Sequence, residues 1–406
     1  MLKNFKNWLK DRRSFLLSWY TKDSQEDQEP ERSLIELPDP IRQKILEGVS
    51  DLPSNPVEQK AITKALNETF ELWRENPTNA DNSIVILSSP IAAVSRILTE
   101  TLEDWSKKQQ VSLKMIPLKA RPNDITNIKY KLEDYLQKLE TEKEETEVLV
   151  IPNLSWCFLR SLYGLEGIEY LQSLLCDGSK KRFWIIGGGQ VGWEYLNSVC
   201  SIGAYCGKVF LLPPISPEEL GKWLEPILES LSIAYDEPSF DKQILDSDKE
   251  HKTHYFEKLA EVSQGVSTVA VQLFLKSIRY LDEEEEEEAD SQAEQIIDKI
   301  TDIADSSEQK FESKNLIAQV PELPELGDLE SADQYILYSL LLHGDLTIHA
   351  LAESLGDSDE EVQARIQLLR RRGIVEQKKG IYKINPIYYP NLKRNLANNN
   401  FIIEET

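Results

Sequence analysis

Cysteine and histidine are scarce, with only four of each in 406 residues. Cys157, Cys176, Cys200 and Cys206 show no C-x-x-C spacing, so zinc ribbons and disulfide frameworks are not supported, and a reducing cytosol is the simplest compartment. His251 and His254 stand three apart, the interval of two metal ligands on a helix, but no cysteine or third histidine accompanies them. They read as an incidental surface pair, and no metal is expected. Cations are in deficit: 46 Lys and Arg stand against 70 Asp and Glu, a net charge of -24. That balance opposes a chain-wide sleeve for nucleic acid, because phosphate affinity comes from neutralising cations. No apolar run approaches the ~18 residues of a spanning helix. G-x-S-x-G is absent, and no cysteine has a histidine near it in sequence, so the usual nucleophilic hydrolases find no support.

What is present is enough apolar residue, 40%, to build real cores, and enough length for two or three domains. Residues 1–22 read as a basic amphipathic helix. Lys3, Lys6, Lys10, Arg12 and Arg13 are interleaved with Leu2, Phe5, Trp8, Leu9, Phe15, Leu16 and Trp19. Such a segment anchors to an anionic membrane surface or docks on a protein partner or on the chain's own acidic body. Residues 23–34 are polar and core-less, a linker. Residues 35–215 form an α/β domain. Short apolar runs at 84–88, 111–118, 148–153, 183–187 and 209–212 alternate with helical patterns at 91–105, 125–139, 165–175 and 193–199. This pattern predicts a five-stranded parallel sheet covered on both faces.

After Pro213 and Pro214 the alternation stops and helices take over, giving a small helical lid over 216–281. Seven consecutive acids, 282–288, open a stretch read as an acidic flexible linker to residue 330; the alternatives are a nucleic-acid mimic or a dock for a basic partner. Residues 331–396 carry three short helical patterns, at 335–343, 346–355 and 359–372, each ending at a glycine, and then a hairpin pattern at 374–384. Three helices and a two-stranded wing predict a winged helix-turn-helix. Its second helix-turn-helix member begins with Asp359, Glu360 and Glu361, which repel phosphate, and its cations come later. Arg365, Arg370, Arg371 and Arg372, with Lys378 and Lys379 in the wing, are the candidate contacts for DNA or a protein partner. The residues from Ile387 to Leu396 read as aromatic core beneath the wing.

The order of an α/β core, a helical lid and a winged helix resembles AAA+ and STAND P-loop ATPases over roughly residues 41–392. The resemblance implies a five-stranded P-loop NTPase-like sheet. It also implies a glycine-rich loop ending in Gly-Lys-Ser/Thr after the first strand. The matching stretch is Ser88-Ser89-Pro90-Ile91-Ala92-Ala93-Val94-Ser95. Val94 takes the Lys position, Ser88 and Ala93 take the glycines, and Ser95 alone keeps the hydroxyl. Arg96 stands one residue out of register. The third strand should end in Asp-Glu to hold magnesium and polarise water. Here Pro152 and Asn153 follow it.

The fourth strand runs into Gly187-Gly188-Gly189-Gln190-Val191-Gly192-Trp193. The run fits a dinucleotide fingerprint, a sensor loop with Gln190 toward the phosphates, or a glycine turn that lets Trp193 pack on the sheet. Ser267 and Thr268 stand where the lid's nucleotide-touching Arg would be, with Lys276 and Arg279 too far along the helix to replace it. The remnant nucleotide site is therefore Ser88, Ser95, Arg96, Asn153 and Gln190, with no catalytic residue and no cofactor expected beyond ATP or another nucleotide in a vestigial pocket. The expected function is a non-hydrolysing AAA+/STAND-like regulator or scaffold in the cytoplasm, acting through protein contacts and, by residues 1–22, at a membrane surface. A DNA-binding transcriptional regulator that senses nucleotide and an atypical ATPase are the alternatives.

Overall fold

In the computed structural model, residues 39–116, 120–122, 124, 127–140, 147–176, 182–231, 233–235, 248–280 and 316–403 are described. The basic segment 1–22 with its Lys3, Lys6, Trp8, Lys10, Arg12, Arg13 and Trp19, the linker 23–34 and the acidic run 282–288 lie outside the described residues.

Helices α1 (Asp39–Asp51) and α2 (Pro56–Glu75) lead into the sheet. Asn55 starts α2 by accepting the Val57 N–H on its side-chain oxygen at 2.9 Å, and Pro56 follows in the first turn, where a missing N–H costs nothing. The sheet strands are β1 (Ser83–Ser88), β2 (Leu113–Met115), β3 (Glu147–Ile151), β4 (Arg182–Gly189) and β5 (Lys208–Leu211), all parallel and in spatial order β2-β3-β4-β1-β5. Between them run α3 (Val94–Gln109), α4 (Asn127–Glu140), α5 (Glu166–Leu175) and α6 (Gln190–Cys200). This is the five-stranded parallel sheet that the alternation predicts. β1 and β3 are buried along their whole length, which is why they read as unbroken apolar runs instead of alternating ones.

The sheet's two faces carry different cores. On one, Ile84, Ile86, Val150, Phe183 and Ile185 meet α2 and α3, where Phe70 sets its ring edge-on to Trp105 (5.1 Å) and to Phe183 (5.3 Å). Burying such aromatic side chains contributes roughly 1.5–3 kcal/mol each. On the other, Val85, Leu87, Leu149, Ile151, Trp184 and Ile186 belong to one apolar cluster that continues through α4, α5 and α6 into the lid and the C-terminal module.

The lid consists of α7 (Pro217–Leu231), α8 (Asp248–Ser263) and α9 (Ser267–Ser277). A small sheet closes it, which the sequence pattern does not announce: β6 (Ala234–Tyr235), β7 (Ile278–Tyr280) and β8 (Leu316–Ala318), in order β6-β8-β7. Part of the stretch read as a flexible linker to residue 330 is therefore ordered pairing. Leu316 and Ala318 are buried against the lid, and the carbonyls of Leu326 and Asp328 accept from Arg372.

The C-terminal module runs α10 (Ser331–His343), β9 (Leu346–Thr347), α11 (Ile348–Leu355), α12 (Asp359–Arg371), β10 (Val375–Lys378), β11 (Ile381–Ile384) and α13 (Tyr389–Asn398). β10 and β11 form the expected hairpin, joined on its open side by β9. Reciprocal capping boxes start α10 (Glu330 with Asp333) and α12 (Ser358 with Glu361). The module reaches beyond residue 396: Ile403 is buried, and the Phe401 ring contacts Tyr335 and Tyr338 at 5.2 and 5.0 Å.

The glycines that end β4, and Gly192 in the first turn of α6, serve close packing. A Cβ at Gly187 would lie 2.3 Å from Leu98 Cδ1 and 2.6 Å from the Pro152 carbonyl, and one at Gly192 would lie 2.7 Å from the Leu342 carbonyl of α10. Trp193 is buried beside it, as the glycine-turn reading expects. Gly192→Ala is expected to push α6 away from α10 and destabilise the protein by about 1–3 kcal/mol. Chemical denaturation compared with Gly188→Ala, whose Cβ would meet only side chains at 3.5 and 3.7 Å, checks this.

Candidate functional site

In parallel sheets of this kind a ligand cleft lies at the carboxyl ends of the strands. β1 ends there at Ser88, and Ser89 and Pro90 open a short turn closed by the Ala92 N–H on the Ser89 carbonyl at 2.9 Å. α3 then begins at Val94 with no side-chain cap. Val94, read from the resemblance as standing at the Lys position, is 4% exposed and packs in the core with Ile97 and Leu98. Ser95 is buried within the first turn of α3.

Arg96 does not turn toward the strand ends. It forms an ion pair with Glu100 at 2.8 Å and donates to the Leu52 carbonyl, tying α3 to the turn between α1 and α2. Burial works against charge on Glu100, yet the Arg96 guanidinium and the Ser54 N–H hold its carboxyl below the usual range. Asn153 is likewise spent on local structure: its side-chain oxygen accepts from the Ser155 N–H at 3.1 Å and the Ser155 hydroxyl at 2.8 Å, capping a short 3-10 turn.

Two cavities lie along the cleft. The first, about 110 Å³, is mostly apolar and sits between α1, α3 and the lid helix α9, with Asn55, Glu58, Arg96, Trp223 and Thr268 in its wall. The second, about 240 Å³, holds Ser88, Ser89 and Gln190 from the sheet side. Of the five remnant residues, Ser88 and Gln190 come together there, Arg96 lies in the first cavity, and Ser95 and Asn153 lie in neither.

Two residues that sequence reading did not single out complete the second cavity. Lys393, one turn beyond Tyr389 on α13, lines it, as does Tyr389 itself. Lys393 thus adds to the second cavity a cation from the far end of the chain. Glu58 lines both cavities. Burial pushes its carboxyl up to about 7, against the lowering effect of the Ser267 hydroxyl that donates to it at 3.2 Å. Ser267, at the start of α9, thus serves a carboxyl.

α13 reaches the cleft because the whole C-terminal module is clamped onto the α/β domain. Arg121 donates to the carbonyls of Ser155 (2.6 Å) and Phe158 (3.1 Å) on the α/β side, and to those of Asp345 (2.7 Å) and His343 (3.2 Å) on the module. Burial pulls the guanidinium down to about 10, against the raising effect of Asp345, so it stays charged at neutral pH. Beside it Arg160 donates its main-chain N–H to His343 Nε2 at 3.3 Å and its side chain to the Ser354 carbonyl at 2.9 Å. Nε2 accepts, so His343 is neutral with its proton on Nδ1. The ring is fully buried against Phe158, centroids 4.8 Å apart.

The candidate contacts of the C-terminal module divide into spent and exposed. Arg365 pairs with Glu330 (3.0 Å) and Asp333 (3.7 Å), bracing the start of α10. Arg370 bonds Gln367 at 2.9 Å, and Arg372 holds the 326–328 segment. Arg371 and Lys379 are exposed, and Lys378 is half-buried, its amine pulled down to about 8 by desolvation and by Lys379. His251 and His254 lie on α8, and among the described residues no group of side chains could hold a metal ion. No described helix is long and apolar enough to cross a membrane.

No family model and no curated protein sequence matches the chain. Among solved structures it is similar to the Thermotoga maritima RuvB Holliday junction branch migration motor, at 13% identity over 85% of this chain and 96% of that one, TM-score 0.33. It is also similar to Cdc6p from Pyrobaculum aerophilum, at 12% identity over 86% and 96%, TM-score 0.35. A third is PCH-2 from C. elegans, at 11% identity over 57% and 64%, TM-score 0.36.

The buried His343 and Glu58 make stability depend on pH in opposite senses. Burial, with Arg121 and Arg160 adding to it, holds His343 well below its ordinary pKa near 6.5, so undocking takes up a proton. Docking should be fully stable above pH 6.5 and weaken as pH falls below it; limited proteolysis of the C-terminal module from pH 7.5 to 5.5 should show this, and His343→Gln should flatten the profile. Glu58 has the opposite sign: its folded pKa lies above the unfolded value, so stability is lost as pH rises from about 4.5 through about 7. Glu58→Gln is expected to stabilise the protein at pH 8, with the gain shrinking toward pH 5.5, as read by melting temperature.

Proposed function

We propose that the protein is a non-hydrolysing relative of AAA+/STAND ATPases, working as a scaffold or regulator whose α/β domain, lid and winged-helix-like C-terminal module act as one body in binding protein partners. The observation that carries this reading is the fate of the positions that would grip and split a triphosphate. Val94 is core, Arg96 is tied to Glu100 and the Leu52 carbonyl, and Asn153 caps its own turn. Phosphoryl transfer depends almost wholly on positioned charge and metal, so a cleft that spends these residues elsewhere has lost the chemistry while keeping the fold.

Lys393 supplies one cation to the cleft, which supports anion binding but not metal-assisted cleavage. Glu58 is the carboxyl nearest in kind to a metal ligand, and it is bonded to Ser267 with a pKa near neutrality. A role in reading DNA is less well supported than protein contact, because Arg365 and Arg372 brace the module itself. Residues 1–22 supply a membrane or partner anchor in this reading. Purified protein is expected to release no phosphate from ATP above a blank, and any ATP binding seen by calorimetry is expected to be unchanged by magnesium and weakened by Lys393→Ala. Magnesium-dependent turnover removed by Ser95→Ala would overturn the proposal.

A further inference from the structure

The outward stripe of α12 carries opposite charges at its two ends. Val362, Ile366 and Leu369 turn one side of this helix into the module's core. On the opposite side, at i, i+4, i+7, i+8 and i+11, stand Glu360, Ala364, Gln367, Leu368 and Arg371, all exposed except the half-buried Gln367. A carboxylate thus opens the stripe and a guanidinium closes it, about 16 Å further along the axis. Between them lie the small Ala364 and Leu368, which leaves 57% of its surface open.

The charges beside the stripe are engaged within the chain. Asp359 stands 3.5 Å from His349 Nδ1, Glu361 closes the capping box with Ser358, and Arg370 donates to Gln367. Glu360 and Arg371 make no hydrogen bond or ion pair among the described residues. An acid in the first turn and a cation in the last also complement the helix's own dipole, but that effect asks for no exposed leucine between them. A DNA duplex fits the stripe poorly, because Asp359, Glu360 and Glu361 crowd the end that would enter a groove between phosphates.

The charge order fits its own reverse. Glu360 and Arg371 lie equally far from the midpoint between Arg365 and Ile366, and so do Ala364 and Gln367. Two such helices set antiparallel about a two-fold axis therefore place Glu360 of each copy against Arg371 of the other, with Ala364 opposite Gln367 and Leu368 alongside. The net charge of -24 opposes self-association at long range, and one helix per copy is a small contact, so the pairing is weak and concentration-dependent.

We propose that the outward stripe of α12 pairs with a second copy of this chain, antiparallel across a two-fold axis, with ion pairs between Glu360 and Arg371 at both ends of a contact that encloses Ala364, Gln367 and Leu368. This surface is independent of the cleft, since none of these residues lines either cavity.

Sedimentation velocity of the full-length protein from about 1 to 200 μM tests the pairing, and the mass is expected to rise from one copy toward two. Glu360→Arg and Arg371→Glu each set like charges against one another at both ends, so each should weaken self-association at least about tenfold. Mixed in equal amounts, the two variants should pair with each other as well as the parent pairs with itself, because one then carries two cations where the other carries two carboxylates. That recovery separates a lost contact from a folding defect. Leu368→Asp, away from the helix ends, should also abolish pairing while leaving the melting temperature unchanged. A parent that stays a single copy over the whole range, association indifferent to both reversals, or a mixture that fails to recover would overturn the proposal. So would duplex binding lost on Arg371→Glu with no change in copy number, which would make the stripe a nucleic-acid surface instead.

Discussion

A single guanidinium shared among four main-chain carbonyls fixes how the parts of this protein stand relative to one another. The end of α10 leaves carbonyls without intrahelical donors, as every helix terminus does, and its dipole favours a cation there. The 3-10 turn after β3 presents carbonyls of the same kind from the other side. Arg121 answers both sets at once, a task that suits a planar fork with five donors and not the point charge of a lysine. Its desolvation is offset because each donated bond reaches a carbonyl that would otherwise be buried and unmet. His343 and Arg160 extend the same seam, and Gly192 lets α6 approach it closely.

That clamp determines the composition of the cleft. With the module held in place, α13 lies over the carboxyl ends of the strands, and Tyr389 and Lys393 become part of a cavity otherwise built from Glu58 of α2, the ends of β1 and β5 with the residues after them, the start of α6 and the lid. A lysine delivered in this way differs from one carried by a phosphate loop. The loop lysine sits among converging main-chain N–H groups that share the work of holding phosphates. Lys393 comes from a separate element, and the loop opposite it begins Ser88-Ser89-Pro90, whose proline has no N–H to offer. The sheet beneath is held by apolar burial, to which Val94 adds, whereas catalysis in the resembled family rests on a few polar side chains.

The sheet and the C-terminal helices could be read from sequence because their signals are local and dense. β1 and β3 are unbroken apolar runs, and the ends of α10 and α11 are marked by Gly344 and Gly356. Short pairings such as β6 with β8 involve two or three residues each and become strands only when the lid brings them together, so no local pattern marks them. The same holds for the site. The positions of Val94, Pro152 and Asn153 are legible because they fall at set distances from strands. Arg121 lies in irregular chain, and Lys393 sits on a short helix more than 300 residues from Ser88. Neither carries a signal other than being basic, and both owe their roles to long-range packing.

The same geometry ties occupancy of the cleft to the position of the module. If an anion is held by Lys393 together with Ser88 and Gln190, it contacts both bodies and is bound better in the docked state than in any undocked one. By linkage, the factor by which docking tightens the anion equals the factor by which the anion stabilises docking, whatever happens to the γ-phosphate. A protein built like this needs no hydrolysis to respond to a ligand. Its response is set by how much of the binding energy depends on α13, and Arg121 sets the baseline against which that energy is measured.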